Sequence, residues 1–166
     1  MAEAPADYLE FAAARSRHLF RTACLLTGDW HLAEDLVQET LAKMYRSWRR
    51  IDRTDTPVAY ANTVLVHLFL SQRRRRSSDE YPSDNLPEPA GRSEDPELRL
   101  TLLEALARMS PRDRAVLVLR YWEDRSADET ALTLGTTPEA VRAQCLRALQ
   151  RLRALLGSQF MEITPK

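Results

Sequence analysis

The sequence predicts an all-α protein of two small helical domains joined by an acidic flexible linker. Three observations predict it. There are only four glycines in 166 residues. Apolar residues recur at helical spacing, and no strand-period segment is longer than a few residues. Finally, helix starts are spelled out by a capping side chain followed by proline.

Thr56-Pro57, Asp95-Pro96, Ser110-Pro111 and Thr137-Pro138 each set an oxygen acceptor ahead of a residue whose missing N–H costs nothing in a first turn. Ser126 and Glu129 form a capping box, and Asp29 is placed to cap the helix after it. Together these predict helices near 7–27, 30–50, 57–76, 96–109, 111–123, 126–134 and 138–156. In the second, Leu32, Leu36, Leu41, Met44, Tyr45 and Trp48 share a face and belong to the core. In the third, Tyr60, Val64, Leu65 and Leu68 pack on the helix carrying Trp48. In the last, Val141, Cys145, Ala148, Leu149, Leu152 and Leu156 form the buried stripe.

The segment "SSDEYPSDNLPEPAGRSED" holds three prolines and almost no apolar residue. It cannot bury enough surface to offset its ordering entropy, so it is expected to be a linker. The organisation is then a unit over 7–76, a linker over 77–95, a unit over 96–157 and a tail over 158–166.

The formal net charge is zero, but its distribution is segregated. From Ile51 to Ser78 five arginines face two carboxylates, and from Asp79 to Glu97 seven carboxylates face Arg92 alone. From Thr136 onward five cations face Glu139 and Glu162. Blocks of sign rather than their sum set local fields, so two basic segments flank an acidic connector.

The run "AYANTVLVHLFLSQRRRR" raises the question of a membrane anchor. Its uninterrupted apolar part, Val64 to Leu70, contains His67 and is far short of the roughly 20 residues a spanning helix needs. The start "MAEAPADYLEF" carries Glu3, Asp7 and Glu10 and lacks a basic region before an apolar core. No membrane insertion and a cytoplasmic location are expected. The two cysteines, Cys24 and Cys145, lie in helix-interior patterns and are expected as buried thiols, in keeping with a reducing compartment. His18 and His31 show no ligand spacing, and no nucleophile–base pair, paired acid or phosphate loop is visible. Neither a metal, a cofactor nor enzymatic chemistry is expected.

Two constellations point to function. A short capped helix ends at Gly135, and after two threonines a longer helix begins, which makes a helix-turn-helix. Beside the buried stripe of its second helix lie Glu139, Ala140, Arg142, Ala143, Leu146, Arg147 and Gln150. Small residues at 140 and 143 admit a groove wall, and Arg142 and Arg147 reach phosphates or guanine edges. An ordinary helical hairpin with a solvated basic face is the alternative. In "WHLAEDLVQETLAKMYRSWRR", Asp35, Gln38, Glu39, Ala42 and Arg46 form a second stripe. On physics alone, a solvated face accounts for that stripe better than a docking surface does.

The string "AEDLVQETLAKMY", then a basic capped helix, an acidic linker and "LEALARMSPRDRAVLVLRYWEDRSADETALTLGTTPEAVRAQCLRALQRLRALL" resembles extracytoplasmic-function sigma factors of the sigma-70 family, with greatest similarity to an actinobacterial SigE-like branch. The resemblance covers nearly the whole chain, and it implies core RNA polymerase as partner, through the β′ clamp helices and the β flap. It implies docking by Asp35, Gln38, Glu39, Ala42 and Arg46. Capture of the unpaired minus-ten strand falls to Trp48, Arg49, Arg50, Arg53, Asn62, His67, Arg73 and Arg74, with a flipped base against a loop over 49–55. Reading of the minus-thirty-five duplex falls to Thr137, Glu139, Ala140, Arg142, Ala143, Leu146, Arg147 and Arg151. Promoter DNA and an anti-sigma factor are the further partners implied. The linker carboxylates either occupy the polymerase's RNA path or serve as a plain tether.

Two departures bear on specificity. The usual V-K-S-R-like string of the recognition helix is here Val141-Arg142-Ala143-Gln144, and His67 stands where asparagine is usual. The competing reading is a self-sufficient helix-turn-helix regulator, which leaves the stripe on the second helix and the linker without a role. A purely helical interaction protein is a third.

Overall fold

The computed structural model describes residues 5–54, 56–76 and 96–157, with the side chains of 52–54, 74–76 and 96–99 outside the description. Seven α-helices occur among these residues: α1 (Ala6–Thr27), α2 (Trp30–Thr54), α3 (Pro57–Arg76), α4 (Pro96–Ala107), α5 (Pro111–Leu117), α6 (Ala127–Leu134) and α7 (Pro138–Leu156). A π-helical segment, Val118–Trp122, continues α5. The expected linker and tail lie outside the described residues.

The helix starts follow the capping chemistry. The Asp29 carboxylate accepts from Leu32 N–H at 2.9 Å, Ser110 Oγ from Asp113 N–H at 3.2 Å, Ser126 Oγ from Glu129 N–H at 3.0 Å, and Thr137 Oγ1 from Ala140 N–H at 3.1 Å. Each satisfies a donor that the first turn leaves unpaired. Of the two remaining predicted caps, Thr56 precedes α3 and its carbonyl accepts from Tyr60 N–H at 3.2 Å, while Asp95 lies outside the described residues. Between α1 and α2 the chain reverses through Gly28, whose φ of 67° is left-handed and whose N–H closes on the Cys24 carbonyl at 2.8 Å. A side chain at that conformation is strained, so glycine is required there.

The first unit is the α1–α2–α3 bundle. On α2, Ala33, Leu36, Val37, Thr40, Met44, Trp48 and Ile51 are buried at steps of three and four. Ile51 explains why α2 runs to Thr54 where a loop over 49–55 was expected. Continuing the helix keeps Ile51 in phase with Met44 and Trp48 and takes it to 1% exposure, worth about 1.5–3 kcal/mol for such a side chain. Residues 49–54 are therefore helical rather than a loop, and only residues 55 and 56 separate α2 from α3.

Trp48, expected on the core face of α2 and also implied by the resemblance for the minus-ten strand, is 5% exposed. It packs edge-on against Tyr8 and tilted against Phe11, with ring centroids 5.5 and 5.3 Å away, so it is a core residue. Tyr45, expected in the core, is exposed and makes an edge contact with Tyr8.

The second unit, α4 to α7, packs directly on the first. Helix α3 shows why: Ala61, Asn62, Leu65, Val66, Leu68 and Phe69 are all buried, which is more than one face can hold. One side meets α1 and α2, and the other meets α5 and α6. A single apolar core runs through both units, from Leu19, Leu36 and Phe69 to Val116, Ala148 and Leu152. Arg114 of α5, 2% exposed, crosses the seam. It donates through Nη1 to the Leu26 carbonyl at 2.6 Å, and its guanidinium lies 5.3 Å from the Phe69 ring centroid. The Leu26 carbonyl belongs to the last turn of α1, where helices leave acceptors unpaired. Cys24 and Cys145 are buried thiols that form no disulfide, as expected.

Candidate nucleic-acid interface

The helix-turn-helix is α6, a turn at Gly135 and α7. Gly135 has a φ of 67° and its N–H bonds back to Ala131, the left-handed exit that favours glycine. Arg112 of α5 donates to the Leu134 carbonyl at 3.1 Å, fixing the end of α6. At its start, Glu129 accepts from Arg125 at 2.9 Å and from Ser126 at 3.1 Å. The Arg125 hydrogen bond first, then that of Ser126, hold the Glu129 carboxyl below its ordinary value of 4.5.

On α7 the predicted stripe holds at Val141, Cys145, Ala148, Leu152 and Leu156, all buried, with Leu149 half-buried. That leaves Glu139, Ala140, Arg142, Ala143, Leu146, Arg147 and Arg151 exposed on the opposite side. Thr137 is the helix cap. Gln144, one of the departures noted in the sequence, donates to Asp113 of α5 at 3.1 Å. Its amide is thereby engaged inside the domain instead of facing outward.

The stripe on α2 is solvent-facing throughout: Asp35, Gln38, Glu39, Ala42 and Arg46 are all exposed. Glu39 receives a hydrogen bond from Gln72 of α3 at 2.7 Å, which orients its carboxylate along the α2–α3 edge.

Among the described residues, those expected to capture the melted strand are not gathered into one open face. Arg49 and Arg50 are exposed and Arg73 is half-buried, while the side chains of Arg53 and Arg74 lie outside the described residues. Asn62 is 3% exposed, and its Nδ2 donates to Glu123 Oε2 at 2.9 Å. The His67 ring nitrogen Nε2 bonds the Thr133 carbonyl on α6. Asn62 and His67 thus both bond the second unit; Asn62 is buried there, which corrects the expectation of an accessible surface at that position, whereas His67 stays exposed.

Their partners are the residues sequence reasoning missed. Glu123 follows the π segment, its side chain is 5% exposed, and it also bonds His18 Nε2 at 2.8 Å and Thr22 Oγ1 at 2.7 Å. Trp122 lies flat on the His18 ring, with centroids 5.5 Å apart and planes 9° from parallel. Its indole N–H donates to Thr22 Oγ1 at 2.8 Å. No periodicity marks these contacts, because they join residues about a hundred positions apart.

Among the described residues no cluster of three or more His, Cys, Asp or Glu is arranged to hold a metal. No described helix is long and apolar enough to cross a membrane.

Comparison with known proteins gives this geometry its family. Residues 11–78 match the family model "Sigma-70 region 2" and residues 99–152 match "Sigma-70, region 4". The RNA polymerase sigma-E factor of Streptomyces coelicolor is 34% identical over 158 residues, spanning 94% of this chain and 89% of that protein. Its counterpart in Streptomyces avermitilis is 32% identical over 94% of this chain and 88% of its own. In fold, the chain is similar to the sigma factor RpoE of Bartonella quintana, solved in complex with the anti-sigma factor NepR, at a TM-score of 0.76 and 24% identity over 92% of this chain and 98% of the other. A stripe and a helix-turn-helix that physics alone left ambiguous therefore stand in regions 2 and 4, and the chain belongs to the extracytoplasmic-function sigma factors of the sigma-70 family, which direct RNA polymerase in transcription initiation.

Proposed function

We propose that the chain works in the cytoplasm as a promoter-specificity subunit without chemistry of its own, in which 7–76 docks core polymerase and captures the melted minus-ten strand, 96–157 reads the minus-thirty-five duplex, and 77–95 tethers the two. The observation that carries this is the exposed α2 stripe of Asp35, Gln38, Glu39, Ala42 and Arg46, in one chain with a helix-turn-helix whose exposed side presents Arg142, Arg147 and Arg151. A self-sufficient regulator gives that stripe no task.

In this reading the α2 stripe meets the β′ clamp helices and 96–157 meets the β flap. Arg49, Arg50, Arg53, Arg73 and Arg74 follow the backbone of the unpaired strand, since cationic tracks are the general means of holding single strands. With Trp48 in the core, base capture falls to Asn62, His67 and the residues joining α2 to α3. Ala140 and Ala143 let α7 sit close to the groove wall, while Arg142 and Arg147 supply phosphate or base-edge contacts. Each basic face is small, so tight promoter binding comes from core polymerase presenting both at once, and the second contact gains from the effective concentration set by the first. An anti-sigma factor is a fitting further partner, since relatives of this fold include RpoE solved with NepR and CnrH solved with the cytosolic domain of CnrY.

Run-off transcription with purified core polymerase, with and without the chain, tests the proposal. Promoter-specific transcripts that depend on the chain are expected. DNA binding that needs no polymerase, with no transcripts, would instead favour the self-sufficient regulator.

A further inference from the structure

Beyond that reading, and independent of it, we propose that the chain carries a small-molecule site in the cleft where the end of the π segment meets α1 and α3, and that its ligand is a free α-amino acid with an apolar or aromatic side chain. The cleft measures about 550 Å³, within the usual span of small-ligand pockets. Arg15 and Asn62 border it from the first unit, and Trp122 and Asp124 from the second.

Which ligand suits it follows from the polar groups that are already matched. Glu123 is fully used: Oε1 meets His18 and Thr22 at 2.8 and 2.7 Å, and Oε2 accepts from Asn62 Nδ2 at 2.9 Å. Glu129 and Arg125 hold each other at 2.9 Å. Three charged or buried groups on the cleft are left over among the described residues. The first is Asn62 Oδ1. A carboxylate only accepts, so the contact with Glu123 commits the amide's donor end and leaves Oδ1 as a buried acceptor with no donor. Asn62 is 3% exposed, and an unmatched oxygen at such a position costs free energy that a ligand N–H would recover. The second is the exposed Asp124 carboxylate and the third the half-buried Arg15 guanidinium; neither has an ion pair or hydrogen bond among the described residues.

An acceptor and an anion together call for a cation with N–H donors, and a guanidinium calls for a carboxylate. One small molecule carries both on a single carbon, the zwitterionic end of an amino acid. Its side chain would meet Trp122, Val58 and Ala59. His18 is stacked on the Trp122 ring, yet Trp122 remains 41% exposed, which is apolar surface that a branched or aromatic group would cover.

The backbone supports a site at this corner. Asp124 has a φ of 53°, the sole positive φ outside glycine among the described residues, and it follows directly on the π segment and Glu123. Both features recur at functional sites. Glycine would take that φ without strain, so what aspartate adds there is its carboxylate.

The test uses the full chain and needs neither polymerase nor DNA. Isothermal titration with L-phenylalanine is expected to show one-to-one binding. Affinity should fall about tenfold or more for phenethylamine, which lacks the carboxylate, and for 3-phenylpropionate, which lacks the ammonium group. Arg15→Gln should weaken phenylalanine to the level of phenethylamine and leave phenethylamine itself unchanged. Asp124→Asn, which retains a residue tolerant of the left-handed conformation, should weaken phenylalanine and leave 3-phenylpropionate unchanged. Absence of binding by phenylalanine, leucine and tryptophan up to about 10 mM overturns the proposal. Equal affinities for the three phenyl compounds overturn it too, since the charged groups then recognise nothing. Undiminished binding of phenylalanine to both variants would place the ligand elsewhere and refute the site. No arm involves transcription, so a failure here leaves the proposed function standing, and a failed run-off assay leaves this result untouched.

Discussion

Arg114 offers the clearest measure of how much the seam between the units contributes to stability. Replacing it with alanine removes the 2.6 Å bond to the Leu26 carbonyl, worth about 1.5–3 kcal/mol for a charged donor. It also removes the cation over Phe69 at 5.3 Å, about 1–2 kcal/mol when desolvated. Deleting the buried stem leaves a cavity that typically costs about 2 kcal/mol or more, while the relieved desolvation of the guanidinium offsets part of the sum. The expected net is about 4 kcal/mol for Arg114→Ala. For Arg114→Met, which keeps most of the volume, about 1–2 kcal/mol is expected. Each unit alone has fewer than about 80 residues and is marginal by itself, so a loss at the shared core lowers overall stability rather than merely loosening the contact. Urea unfolding followed by far-UV circular dichroism measures it, and the alanine variant should melt about 10 °C lower. An alanine cost under about 1 kcal/mol, or equal costs for alanine and methionine, would refute the reasoning.

Other consequences are smaller or more local. Asp35→Arg with Glu39→Arg should abolish co-purification with core polymerase while leaving the thermal midpoint within about 2 °C, since both side chains are exposed. Arg147→Ala should weaken transcription more on the cognate upstream element than on a scrambled one, by about 1–3 kcal/mol if it reads a base; equal loss on both would make it a phosphate contact. Gln144→Ala should leave upstream-sequence preference unchanged, because its amide is spent on Asp113, and should lower stability by about 1 kcal/mol. The depressed Glu129 carboxyl stabilises the start of α6 above its unfolded value near 4.5, and that contribution is lost as pH falls through the lower folded value. Amide exchange in α6 should therefore quicken in acid for the wild type, whereas Glu129→Gln should already be fast at neutral pH.

Much of the architecture was legible because it is local. Proline after a capping residue and apolar spacing of three and four are written within single helices, which is why the starts of α5, α6 and α7 and the buried stripe of α7 could be placed. Ile51 was legible in principle, since it continues the Met44–Trp48 phase, but the resemblance implied a loop there. What could not be read was the packing of one unit on the other. Helix α3 has apolar residues on several sides, so its sequence gives no single face, and its second buried side becomes intelligible only when α5 and α6 lie against it. The site was affected in the same way. The α2 stripe and the exposed side of α7 were visible as patterns, whereas Glu123 is one acid among many until its three donors are brought to it from α1 and α3.

The π segment at Val118–Trp122 has a consequence for how such a chain can change over generations. Glu123 N–H bonds the Val118 carbonyl at 2.9 Å, five residues back, so the segment contains one residue more than an α-turn would. Deleting a single residue here would restore an ordinary helix and rotate everything beyond it by about 100°, carrying Trp122 and Glu123 away from His18 and Asn62 and straining the entry to α6. The seating of the second unit on the first would then change through one short insertion or deletion, without any alteration to the exposed side of α7. Length variation at this one turn is thus a simple heritable route to a different placement of the helix-turn-helix on the first unit.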